Sequence, residues 1–120
     1  MTYKKPYKRT ERVSLLIQQI LGEIATKHID LSHLGFITFT HVDISPDLRH
    51  SKVLYSVLNN KLSEKEINLE LNKLSKSFRK YLGQEIRLKY TPDLTFYQDE
   101  AIKHEEHMQS IIKDLKISKS

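Results

Sequence analysis

The sequence predicts an α+β domain in which helices cover one face of a small sheet. Three observations carry this. Residues 13–24 hold an apolar stripe at helical spacing. Two stretches rich in β-branched and aromatic residues, 36–45 and 52–58, are joined by a short proline-containing turn. A second helical stripe then runs into residues that alternate like a strand.

The first helix is predicted from Thr10, as N-cap, to about Lys27. Val13, Leu16, Ile17, Ile20, Leu21 and Ile24 follow the i, i+3, i+4 pattern of one buried side. Gly22 weakens that helix slightly without breaking its pattern.

Phe36 to Ser45 reads as a strand, Ser45-Pro46-Asp47 as a turn, and Lys52 to Leu58 as the partner strand of an antiparallel hairpin. Val53, Tyr55 and Val57 share one face of that second strand, which Asn59-Asn60 ends.

Ser63-Glu64-Lys65-Glu66 fits a capping box. From Ile67, the residues Leu71, Leu74, Phe78, Tyr81 and Leu82 lie within about −40° to +60° around a helix, at 100° per residue. Read from the residues alone, this is one continuous helix closed by Gly83 as a C′ glycine.

A third strand is predicted to follow at once. Ile86, Leu88, Tyr90, Leu94 and Phe96 take one parity and Arg87, Lys89, Thr91 and Thr95 the other. Pro92 places the strand at a sheet edge or a bulge. A last helix over about Glu105 to Leu115 would bury Met108, Ile111, Ile112 and Leu115. The 120 residues thus read as a single domain over 10–116, with a flexible basic arm at 1–9 and a short basic tail at 117–120.

Composition narrows the function. The chain lacks cysteine, which removes disulfides, thiolate metal sites and cysteine nucleophiles. It has three glycines, too few for most nucleotide-binding loops, and no apolar run long enough for a membrane span. With no signal-peptide core at its start, the expected location is the cytoplasm.

The net charge of +5 is unevenly placed. Lys4, Lys5, Lys8, Arg9 and Arg12 stand against Glu11 alone. Lys73, Lys76, Arg79, Lys80, Arg87 and Lys89 stand against Glu85 alone. The first four of this second group project from the helix at about 120° to 240°, opposite its apolar side. An ordinary solvated helix face mixes signs, so a one-signed face points to a polyanion. These eleven cations are the candidate nucleic-acid-binding residues, with several phosphate contacts giving salt-sensitive affinity. The N-terminal group reads equally as a second contact or as an ordinary basic terminus.

Other chemistries are poorly supported. His104 and His107 share a side of the last predicted helix, but the HExxH spacing and a third ligand are missing, so no metal site is assigned. His28, His33, His41 and His50 are scattered, with no nucleophile to activate. No catalytic residues, cofactor or small-molecule substrate are expected. Tyr3, Tyr7 and Tyr97 are candidates for base stacking, whereas Tyr55, Tyr81 and Tyr90 read as core by their parity.

The stretch Arg79-Lys80-Tyr81-Leu82-Gly83-Gln84-Glu85-Ile86-Arg87-Leu88-Lys89-Tyr90-Thr91-Pro92-Asp93-Leu94-Thr95-Phe96 closely resembles the signature of ribosome-binding factor A, in which "IR..LG" leads into "LR.RY.PEL.F". Residues 42–53, from Val42-Asp43-Ile44 through Ser51-Lys52-Val53, resemble its "V.vs.Dl..AkVy" hairpin, and Arg12-Val13 matches its opening. The resemblance covers nearly the whole chain. It implies a KH-like fold of the second type, ordered α-β-β-α-α-β, with the long helix broken at a kink. Where the family carries Ala-x-Gly at that kink, this chain has Leu74, Ser75 and Lys76. A shallower kink bearing an added charge is therefore expected.

The resemblance further implies a maturation factor without catalytic activity. Such a factor binds the free small (30S) ribosomal subunit, assists late assembly and 5′-end processing of 16S rRNA, particularly in the cold, and leaves before translation. A monomer is expected. A general nucleic-acid-binding or protein-interaction module on the same sandwich is the alternative, because fold alone does not separate these functions.

Overall fold

The structure is a computed structural model, and it describes residues 8–100. The expected last helix, His104 and His107, the tail, and Tyr3, Lys4, Lys5 and Tyr7 lie outside the described residues. Six elements follow in order: α1 (Arg9–Lys27), β1 (Phe36–Ile44), β2 (His50–Leu58), α2 (Glu64–Lys73), α3 (Ser75–Glu85) and β3 (Asp93–Gln98). This is the order that the resemblance implies.

The sheet runs β1-β2-β3. β1 pairs antiparallel with β2, from Phe36↔Leu58 to Ile44↔Ser51, with a bulge at Thr40. β3 returns parallel to β2, His50↔Asp93 to Tyr55↔Gln98, after the crossover through α2 and α3. That pairing begins at His50, so β2 opens two residues before the predicted Lys52.

The core lies between the sheet and the helices. Ile17, Leu21, Leu34, Val53, Ile67, Leu71, Phe78, Leu82 and Phe96 are fully buried. One phenylalanine from each of β1, α3 and β3 meets the others there: Phe39, Phe78 and Phe96 have ring centroids 5.4–5.8 Å apart. These tilted and edge-on contacts suit the aromatic quadrupole better than a flat stack. Tyr55 reaches the same core, and its hydroxyl accepts a hydrogen bond from Asn68 at 3.1 Å.

Several local expectations are corrected. The N-cap of α1 is Lys8, without a side-chain cap, and Thr10 lies inside the helix. Leu16, in the predicted apolar stripe, is exposed. β1 ends at Ile44, one residue before the predicted Ser45. Ser63 does cap α2, accepting from the Glu66 backbone N–H at 3.2 Å.

Gly83 does not end α3, which runs on to Glu85. A Cβ on Gly83 would sit 3.0 Å from Thr91 Oγ1, so this glycine admits the crossing segment 86–92. That segment is the largest departure. Residues 86–92 are irregular, and the third strand starts only after Pro92, which lacks an N–H for the ladder.

The long helix is two helices. Leu74 stands between them with φ −87° and ψ 0°. Its N–H is shared between the carbonyls of Leu71 and Glu70, at 3.0 and 3.3 Å, and its own carbonyl accepts from Phe78 N at 3.0 Å. The break is thus made by one residue at negative φ, where any side chain fits. Ser75 fixes it to the sheet, its hydroxyl donating to the Leu94 carbonyl.

Candidate nucleic-acid interface

Lys73, Lys76, Arg79 and Lys80 are all exposed, turned outward from the side of α2 and α3 that buries Ile67, Leu71, Phe78 and Leu82. Lys73 is partly occupied, its ammonium lying 3.3 Å from Glu70. Arg79 has a structural duty as well. Its Nε and Nη2 both donate to the Thr91 carbonyl, at 3.1 and 2.9 Å, and so hold segment 86–92 against α3. Lys76 and Lys80 have no such tie among the described contacts and are the freest charges of the face.

Arg87 and Lys89 are exposed, but on this irregular segment and not on a strand. Their outward position comes from Ile86 and Leu88, which turn inward beneath them as buried and half-buried anchors. The segment carries the basic face from α3 to the far end of the sheet.

At that end described members of the two charge clusters meet. Arg9, the first residue of α1, and Lys89 line one open cleft of about 390 Å³ together with Leu48, Arg49 and Tyr90. Lys8 and Arg12 are exposed on the same end of α1. The cleft contains two residues that sequence reasoning missed. Tyr90, expected in the core, is 49% exposed. The guanidinium of Arg49 lies 4.5 Å from its ring centroid and the Lys89 ammonium 5.5 Å. No local pattern marked Arg49. Its position follows from the long-range β2–β3 pairing, in which the Arg49 carbonyl accepts from Asp93 N at 2.9 Å.

The other tyrosines fall differently. Tyr81 is half-buried and stacks on His28 at 4.5 Å and 8°. Tyr97 is exposed, in a cleft that mixes Asp43 and Asp93 with Lys52 and His50 and is apart from the one-signed face.

The turn 45–50 that presents Arg49 is tightly bonded. The Asp47 carboxylate accepts from Ser45 Oγ at 2.6 Å and from Arg49 N at 3.1 Å. The Ser45 hydroxyl in turn accepts from His50 N at 3.0 Å. Hydrogen bonds from Ser45 and then from the Arg49 backbone hold the Asp47 carboxyl below its ordinary value. Burial acts the opposite way on Tyr55 and raises its hydroxyl above the usual phenol value.

Among the described residues, no helix is long and apolar enough to cross a membrane.

Comparison with known proteins agrees with this architecture. A protein of Coxiella burnetii described as ribosome-binding factor A is 41% identical over 105 residues, covering 88% of this chain and 87% of its own. The crystal structure of ribosome-binding factor A from Thermus thermophilus superposes with a TM-score of 0.65 at 17% identity, over 77% of this chain and 97% of that one. Coordinates of the Thermus thermophilus factor, as a homology model fitted into a cryo-EM map of a 30S complex, match at a TM-score of 0.58 and 20% identity, covering 72% and 91%. These likenesses identify the α-β-β-α-α-β sandwich as KH-like. The family model described as ribosome-binding factor A matches residues 9–112, from the start of α1 to beyond β3, and the chain belongs to that family.

Proposed function

We propose that this protein is a ribosome maturation factor. In this reading it binds the free small ribosomal subunit, assists late assembly and processing of the 5′ end of 16S rRNA, and matters most in the cold. It acts in the cytoplasm as a monomer, and the reading calls for no cofactor and no catalytic step. The observation that carries it is the one-signed face of Lys76, Arg79, Lys80, Arg87 and Lys89, all exposed on a chain of this family. The relative fitted into a 30S complex supports the choice of partner.

The proposed mechanism is differential binding. Cations on α3 and segment 86–92 hold rRNA phosphates in one conformer of the subunit and so raise its population. Lys73 and the N-terminal Lys4, Lys5, Lys8, Arg9 and Arg12 add contacts around this centre.

The test is cosedimentation with isolated small subunits, large subunits and assembled ribosomes across a salt series. Saturable, salt-sensitive binding to free small subunits alone is the expected result. Equal binding to all three would mean a general polyanion binder with this fold.

A further inference from the structure

The cleft beside Tyr90 is unlike the rest of the basic surface, because it offers a planar ring as well as charge. We propose that it takes one unpaired nucleobase of single-stranded RNA, stacked on the Arg49–Tyr90 pair. The inference rests on the RNA-binding reading above and adds to it a second kind of contact.

Three features point to a base and not to phosphate alone. First, the Arg49 guanidinium lies over the Tyr90 ring, 4.5 Å from its centroid, so the two form a stacked pair that an incoming base can extend. Both groups stack on bases through their faces, whatever the base. Second, a cleft of about 390 Å³ is within the range of small-ligand sites, and Leu48 and Leu88 give it apolar walls. Third, Arg9 and Lys89 stand at the same cleft, where the phosphates flanking a stacked base need neutralising.

The loop is also built to hold its shape. Leu48 has φ +62°, a left-handed conformation that a branched side chain rarely adopts. Its N–H donates to the Ser45 carbonyl at 2.9 Å, and the Asp47 bonds close the turn around it. Strain of this kind persists only when its surroundings over-determine it, and it gathers at ligand clamps. Here it fixes the backbone that sets Arg49 over Tyr90. Asp47 lines the cleft too, but its Oδ1 is engaged by Ser45 and the Arg49 N–H.

The experiment uses the full chain and a uridine hexanucleotide carrying one 2-aminopurine, whose fluorescence is quenched on stacking. Quenching and small-subunit affinity are read for the wild type, Tyr90→Phe, Tyr90→Leu and Arg49→Gln. Wild type and Tyr90→Phe should quench alike. Tyr90→Leu should lose the quenching and bind subunits about tenfold more weakly, the order expected for one stacked base. Arg49→Gln should reduce both, and it supplies the test if Tyr90→Leu does not fold.

Unchanged quenching in folded Tyr90→Leu or in Arg49→Gln overturns the site. So does an equal loss in Tyr90→Phe and Tyr90→Leu, which would mark a hydroxyl contact. A wild type that fails to bind small subunits defeats the assembly-factor reading itself. A wild type that binds subunits while Tyr90→Leu binds them equally defeats the stacking site alone.

Discussion

Asn72 satisfies both backbone hydrogen-bonding groups of Phe96. Its Oδ1 accepts from Phe96 N at 2.9 Å, and its Nδ2 donates to Phe96 O at 3.1 Å. Asn68, one turn earlier on α2, donates to the same carbonyl at 3.0 Å and to the Tyr55 hydroxyl at 3.1 Å. Phe96 is buried on β3, so these amides supply the partners that a fourth strand would give. Asn72→Leu should therefore cost about 2 kcal/mol in urea unfolding, because Phe96 N–H is left without a partner. Asn68→Leu should cost a similar amount, since Asn72 still serves the Phe96 carbonyl but the buried Tyr55 hydroxyl loses its donor.

The two roles of the basic face separate by residue. Reversing Lys76, Lys80 and Arg87 together to Glu should abolish small-subunit cosedimentation with a native circular dichroism spectrum, because all three are exposed. Retained binding would remove this face from the interface. Arg79→Gln should instead lower stability by about 1 kcal/mol, through its paired bonds to the Thr91 carbonyl. Arg79 is thus a poor probe of RNA binding.

Salt should report the phosphate contacts one by one. Each of Lys76→Gln and Lys80→Gln should lower the slope of log affinity against log salt by about 0.7 to 1. A slope unchanged by both would assign the attraction to other residues.

Gly35 and Gly22 should respond oppositely to alanine. Gly35 has φ +129°, and a Cβ there would stand 2.9 Å from the carbonyl oxygens of Leu58 and Asn59. Gly35→Ala should destabilise by about 2 to 4 kcal/mol, from strain and clash together. Gly22 lies inside α1 with nothing within 4 Å of its would-be Cβ. Gly22→Ala should stabilise by about 0.5 to 1 kcal/mol, with thermal melts of both variants as the check.

The Asp47 turn carries a pH signature. Its carboxyl is depressed below the ordinary value of 3.8, first by Ser45 and then by the Arg49 N–H. A depressed carboxylate favours the folded turn fully above its ordinary range, and the benefit is lost as pH falls through the lowered value. Carboxyl carbon titration by NMR should find a midpoint below 3.8, moving upward in Ser45→Ala. A midpoint that Ser45→Ala leaves in place would mean that the hydroxyl does not hold this turn.

What the sequence could and could not reveal follows from the range of each interaction. The α1 stripe, the hairpin and the Ser63 cap are local, and residues 36–58 and 63–66 carry them without help from elsewhere. The break at Leu74 is non-local. Leu74 and Ser75 contain no breaker, and the junction is tied down by a carbonyl of β3, nineteen residues on. Segment 86–92 alternates like a strand because Ile86 and Leu88 turn inward, yet Arg79 and Thr91 bind it to α3 and leave Tyr90 outside. The cations of α2 and α3 were readable from periodicity alone. The cleft was not, since Arg9, Arg49 and Tyr90 come from three separate parts of the chain, Arg49 and Tyr90 being brought together by the β2–β3 pairing and Arg9 by the packing of α1.

The amide plug on β3 also bears on how such sheets polymerise. Growth by strand addition needs an open edge at both ends of the repeating unit, so that each arrival leaves a fresh edge behind. In this chain the Leu94 carbonyl is already taken by Ser75, and the N–H and carbonyl of Phe96 by Asn72 and Asn68. Among the described residues the other outer edge is that of β1, where Gln18 already occupies the Phe39 carbonyl at 3.0 Å. Two copies that met edge to edge through β1 would present plugged edges on both sides, and the assembly would stop at two.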